Sequence, residues 1–458
     1  MGFTADLQAK LTELAEIAYE KLNREFFINL PDRPPGGPPQ NLPSYAAYEH
    51  DFNVLFNTET ARFWQFAEGS PQICESMLKA LGPGGEPLDP DQALEALGDM
   101  SGALSVAEHI RAVEKEFGPI ATMISGWHGT VADFLAALQH QAGEEDEHGV
   151  IDRQVVYVAA LGAVVAAVKA TLERARQDAL ALIDATIEAL KDYLDGQDNG
   201  SRDFLFRVVG AVASVMGAGP WVGVAISFAD YFTGLQSAAP EDPGEVSVTV
   251  EGDSVAGIIS SMGQAITQLE TRIADQDDAL ARGVRNALDR IDGSVLDDFK
   301  LVLDELATDP AGYSRPDGGN LALVYEDAYK AGAVYFSAAA AHYDRAAARL
   351  ELLTLGVENA FGQWFPNLSG QVPYRAAWGE LVTTLQTVLR DSRDYLHRSG
   401  QTLCDVVVDL AALDGVNADR LQAAAQELES DPDITTMEEL AERAEAQTTG
   451  PIRGGMPM

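Results

Sequence analysis

Apolar residues recur at every third or fourth position over most of this chain, the spacing that lines one face of an α-helix. From Ile151 to Leu194 the stripe Leu161, Val165, Val168, Leu172, Ala175, Ala179, Ile183, Ile187, Leu190 and Leu194 runs without a proline or a loop signal. At 1.5 Å per residue a single helix here spans about 66 Å. A second long stripe follows at Met262, Ile266, Leu269, Ile273, Leu280, Val284, Leu288, Ile291, Val295 and Phe299, and further helices are expected over about 4–25, 104–126, 321–360 and 373–413. Helices of this length do not bury their stripes alone, so the expected fold class is all-α, an elongated bundle of long antiparallel helical hairpins.

Breaks in the pattern divide the chain. "PDRPPGGPPQNLP" at 31–43 is a spacer that cannot continue a helix and closes an N-terminal arm, 1–43. A helical region over 44–200 follows, then an apolar segment with a strand-like end at 201–254, a long-helix region at 255–425 and an acidic tail at 426–458. The one alternating stretch is "GEVSVTVEGD" at 244–253, where Val246, Val248 and Val250 have the period of a half-buried strand.

The most apolar stretch is "FLFRVVGAVASVMGAGPWVGVAISFADYF", 204–232, with 22 uncharged residues between Arg207 and Asp230. That is long enough to cross a hydrocarbon core, yet "GAGP" at 217–220 splits it, and Pro220 breaks a helix there. Two readings follow. In one the segment is a Gly/Pro-broken apolar hairpin inside the bundle; in the other it is a membrane element built on Val208, Gly217, Gly219, Pro220 and Trp221.

Charge narrows the partners. The chain carries 71 Asp and Glu against 31 Lys and Arg, a formal net charge of -40, which repels phosphate and argues against nucleic acid. It also disfavours electrostatic docking on anionic lipid, leaving insertion of apolar surface as the route to a membrane. Cys74 and Cys404 are the only cysteines and form no disulfide framework or zinc motif; both are expected as buried thiols. Phosphate loops, zinc helices, nucleophile elbows and dinucleotide fingerprints are all missing from the sequence. His140 and His148 flank Glu144, Glu145, Asp146 and Glu147, an arrangement read as a solvated acidic turn and not as a metal site. No catalytic residue, cofactor, metal or small-molecule substrate is expected, and the chain is read as a non-enzyme. The amphipathic N-terminus lacks the basic and apolar regions of a secretory signal peptide, so any export uses a signal-peptide-independent route.

One further motif interrupts the helical pattern, "ISGWHGTVADFLAAL" at 124–138. Gly129 relieves the backbone where one helix ends and another begins, and Trp127 covers the end with an apolar face, followed by Ala132 and Phe134. The stretch resembles the WXG-motif family of type VII (ESX) secretion proteins, specifically long helical actinobacterial members. The resemblance covers about 104–195 and, in degenerate form, 321–413, where Trp364 lies in "FGQWFPNLSG" and "AAWGELVTTLQ" opens the next helix. It implies a helical hairpin, export by that system and a Tyr-x-x-x-acid signal. Tyr193 has Gln197 at the acidic position, whereas Tyr45 with Glu49 and Tyr313 with Asp317 fit the pattern.

Two functional classes follow. In the first, the protein resembles a type VII secreted substrate, located outside the cell or in its envelope, and acts by helix–helix association with a protein partner or itself. In the second, it is an α-helical pore-forming or membrane-active protein with 204–253 as the inserting element. An intracellular scaffold is the cytoplasmic alternative.

Overall fold

The apolar stripe of helix α1 (Phe3–Ile28) puts Leu7, Leu11, Leu14, Ala18 and Leu22 in the core, against the longest of the described helices. The computed structural model describes residues 2–28, 44–82, 104–124, 149–194, 202–206, 246–291, 300–301, 324–361 and 373–413. After α1 come α2 (Tyr45–Ala61), a 3-10 turn (Arg62–Ala67), α3 (Pro71–Leu81), α4 (Val106–Ile124) and α5 (Val150–Asp192). Two strands follow, β1 (Arg202–Phe206) and β2 (Val246–Val250), then α6 (Val255–Ile291), α7 (Tyr325–Lys330), a π turn (Ala331–Tyr335), α8 (Phe336–Phe361) and α9 (Pro373–Leu413). The described residues are therefore all-α apart from one small ribbon.

Local chemistry explains several helix starts. Ser70 accepts a hydrogen bond from the Ile73 amide at 3.2 Å, with Pro71 in the first turn, where its missing N–H costs nothing. Ser105 and Glu108 form a reciprocal cap on α4: the Ser105 amide donates to Glu108 Oε2 at 2.6 Å, and the Glu108 amide to Ser105 Oγ at 3.3 Å.

The contacts define helix directions. Along α8 and α9 they run from Phe361 against Trp378, through Ala347 with Gln386, to Asp344 with Arg393, and Tyr329 of α7 continues the series at Cys404, so these helices are opposed. Helix α4 opposes α8 in the same way, with Leu104 meeting Arg349, His109 meeting His342 and Phe117 meeting Phe336. Helix α1 instead runs parallel to α5: Phe3 meets Arg176, Lys10 meets Asp184, Glu13 meets Lys191 and Lys21 meets Tyr193.

Helix α5 is long and apolar enough to cross a membrane, the one such helix among the described residues. Its apolar side chains are used within the protein, since Val158, Leu161, Val164, Val165 and Val168 are all buried against neighbouring helices. The expected bounds of α5 and α9 match closely, and α6 follows its predicted stripe to Ile291. The helix expected over 321–360 differs in detail, because a π turn at Ala331–Tyr335 separates α7 from α8.

Candidate functional site

The ribbon is the feature that positions a site. β1 and β2 pair antiparallel in the register Arg202 with Val250, Phe204 with Val248 and Phe206 with Val246. The alternating valines of β2 form as expected, with Val248 and Val250 buried and Ser247 and Thr249 exposed. Strand β1 departs from expectation: 204–206, by sequence the start of the apolar stretch, completes a two-stranded ladder. Its five residues are too few for the alternation to show beside the apolar run that follows.

The ribbon is rooted where α5 ends and α6 begins, and α1 reaches both ends. Lys21 and Glu25 lie one turn apart on α1, and both are buried. Lys21 Nζ donates to the carbonyl oxygens of Lys191 at 2.9 Å and Tyr193 at 2.8 Å, satisfying acceptors that the last turn of α5 leaves free. Glu25 Oε2 accepts from the Val255 amide at 2.8 Å, at the first turn of α6, and its Oε1 accepts from the Tyr48 hydroxyl at 2.7 Å. Each charge thus meets the helix end of opposite polarity.

Other contacts close the junction. The Tyr193 hydroxyl donates to the Asp253 carbonyl at 3.0 Å, and burial followed by the neighbouring Glu25 pushes its pKa up to about 12. Ser254 Oγ accepts from the Gly257 amide at 3.0 Å, and Ser261 Oγ donates to the Thr249 carbonyl at 3.3 Å, tying β2 to α6. A Cβ on Gly252 would lie 2.5 Å from the Ile258 nitrogen, so the turn from β2 into α6 needs glycine there. Leu194, just past α5, takes a left-handed φ of 67°, a strained conformation for a leucine.

A second buried polar group lies elsewhere in the core. His109 on α4 and His342 on α8 place their Nδ1 atoms 3.2 Å apart, with His342 Nε2 3.8 Å from Glu116 Oε1. Burial first, then His342 and the guanidinium groups of Arg349 and Arg345, bring the His109 pKa down to about 3. No group of three or more His, Cys, Asp or Glu side chains suited to a metal occurs among the described residues.

Trp127, Gly129, Ala132 and Phe134 lie outside the described residues, as do Tyr313 and Asp317, His140, His148 and the acidic residues between them, and Val208, Gly217, Gly219, Pro220 and Trp221. Tyr45 and Glu49 occupy successive turns at the start of α2, both half-buried, and the Tyr45 ring packs edge-on to Phe26 with centroids 5.1 Å apart. Trp364 is also outside the described residues, but Trp378 from the same region is fully buried, edge-on to Phe361 at 5.7 Å. Neither cysteine is in a disulfide; Cys74 is buried and Cys404 partly so.

Lys21 and Glu25 were not singled out from sequence, although a signal existed. The positions 7, 11, 14, 18, 22 and 25 share the core-facing face of α1, so a charge at 25 and another at 21 stand where apolar residues are expected. No family model, curated protein or solved structure matches this chain.

Proposed function

We propose that this is a non-enzymatic, membrane-active helical protein whose apolar segment, within 204–253, enters a bilayer. The observation that carries the reading is the pairing of β1 with β2. It holds Phe206 beside Val246, so the two chain ends that flank the uncharged stretch 208–229 are brought together at one place, near the ends of α5 and α6. The reading takes those long helices as part of an elongated bundle of antiparallel hairpins, a stalk that presents the segment at one end. The apolar residues of α5 are engaged in the core, which leaves 208–229 as the stretch with the composition for insertion. The test is dye release from vesicles, comparing the full chain with a variant lacking 208–229. Release by the full chain and none by the variant supports the reading, and silence from both removes it.

A second reading is favoured by the packing of α8 on α9 around Trp378, a hairpin in the region that resembles a degenerate Trp-x-Gly unit. Here the protein is a type VII secretion substrate, exported to the envelope or beyond, that works by helix–helix association with a partner or itself. Retention in the cell when a type VII system is disabled supports this, and unchanged export removes it.

A further inference from the structure

We propose that α1 is a releasable strap that fastens the end of α5 to the start of α6 across the root of the ribbon, and that its release frees this junction to rearrange. The purpose of the device rests on the membrane-active reading above; its existence rests on contacts around Lys21 and Glu25.

Three observations converge. First, Lys21 and Glu25 are buried charges at core-facing positions, and both find partners on the helix ends that flank the ribbon. Buried charges in an amphipathic helix are costly unless paired, so these positions are spent on holding two helix ends and not on packing. Second, the junction carries backbone strain at Leu194, with φ 67°, so the fastened arrangement is held by its surroundings and not chosen by its own chain. Third, α1 is followed by "PDRPPGGPPQNLP", so it is joined to the next helix by a sequence that cannot propagate helical structure. Helix α1 can therefore leave the junction as a unit while α5 and α6 keep their own helical bonds.

The grip is divided between two polar side chains, while Leu7, Leu11, Leu14, Ala18 and Leu22 supply the apolar hold along α5. Loss of either charge loosens one end. Lys21→Met leaves the last carbonyls of α5 without their donor; Glu25→Met leaves the Val255 amide without its acceptor.

Hydrogen–deuterium exchange on the full chain tests the strap without any membrane. Lys21→Met is expected to speed exchange at 189–194 and Glu25→Met at 255–258, each by about tenfold or more, the scale of a lost hydrogen bond to a buried charge, with 246–250 faster in both. Amides of α8 and α9 should be unchanged. Unaltered exchange over 246–258 in both variants, or an equal rise across α8 and α9, would overturn the strap. Should neither variant fold, wild type still decides: α1 and 246–258 are expected to open together, with one dependence on denaturant, and independent opening overturns the proposal. Dye release from phosphatidylcholine/phosphatidylglycerol vesicles separates the two ideas. Faster exchange with no dye release from wild type or variants keeps the strap and removes the membrane reading. Dye release from wild type with unaltered exchange in both variants does the reverse.

Discussion

Gly332 and Gly400 bring two helices into backbone contact: a Cβ built on either residue would lie 2.6 Å from the carbonyl oxygen of the other. Gly332 belongs to the π turn between α7 and α8, and Gly400 lies within α9. A side chain at Gly400 meets backbone, which cannot swing aside. Gly400→Ala is therefore expected to destabilise by about 1–3 kcal/mol, the range for overpacking, even though alanine is the better helix former. Gly379→Ala in the same helix meets nothing within 4 Å and should stabilise by up to about 1 kcal/mol. Urea denaturation of the pair checks both signs.

The burial of His109, and second its contact with His342, make acid destabilising. An imidazole with an ordinary pKa of 6.5 that is held at about 3 when folded stays neutral in the native state, while the unfolded chain takes up a proton. Its contribution is complete above about pH 6.5 and is lost as pH falls toward about 3, at up to about 1.4 kcal/mol per pH unit. The groups around it are Arg345 and Arg349 on α8, which oppose a further positive charge, and Glu116 on α4, which reaches only the far nitrogen of His342. His109→Phe should flatten the pH dependence of stability between pH 6.5 and 4.5 relative to wild type. Since the many carboxylates are common to both proteins, the difference between the two curves isolates the histidine. Parallel curves would show that His109 takes up its proton as readily folded as unfolded.

Arg176 serves as the cap of the 3-10 turn. Its guanidinium donates to the carbonyl oxygens of Phe66, Ala67, Glu68 and Gly69 at 2.9–3.3 Å, and lies 5.0 Å from the centre of the Phe3 ring. Arg176→Met keeps the stem and removes the donors, and is expected to cost about 2–4 kcal/mol. Lysine should not rescue it, because a single ammonium cannot span the set. Denaturation midpoints at neutral pH give the comparison.

Trp378 fills the space between α9, Phe361 and α5, and its indole N–H donates to the Leu161 carbonyl at 3.3 Å. Trp378→Ala should destabilise by about 3–5 kcal/mol. Trp378→Phe restores most of the volume and loses only the indole's hydrogen bond to a carbonyl already inside the α5 ladder, so its loss should be smaller. A Trp378→Ala midpoint equal to wild type would place the ring outside the core.

The helices were legible because each long stripe is many turns of one period: α5 and α9 agree closely with expectation in sequence position and bounds. Strand β2 was legible from three alternating valines. Strand β1 was not, since "RDFLF" acquires its meaning only from a partner that begins at Val246. The pairing of the two histidines and the partners of Lys21 and Glu25 were not legible for the same reason. Periodicity gives the face on which His109 or Glu25 stands, but not that His342, far along the chain, or the amide of Val255 stands opposite.

The ribbon also changes what length means for the residues between its strands. Joining Phe206 to Val246 closes a loop, and the entropy of closure grows only as the logarithm of the number of residues enclosed. Doubling that number costs about 0.6 kcal/mol, less than one good hydrogen bond. The ladder from Arg202 with Val250 to Phe206 with Val246 thus makes the cost of closure nearly indifferent to how many residues the loop encloses.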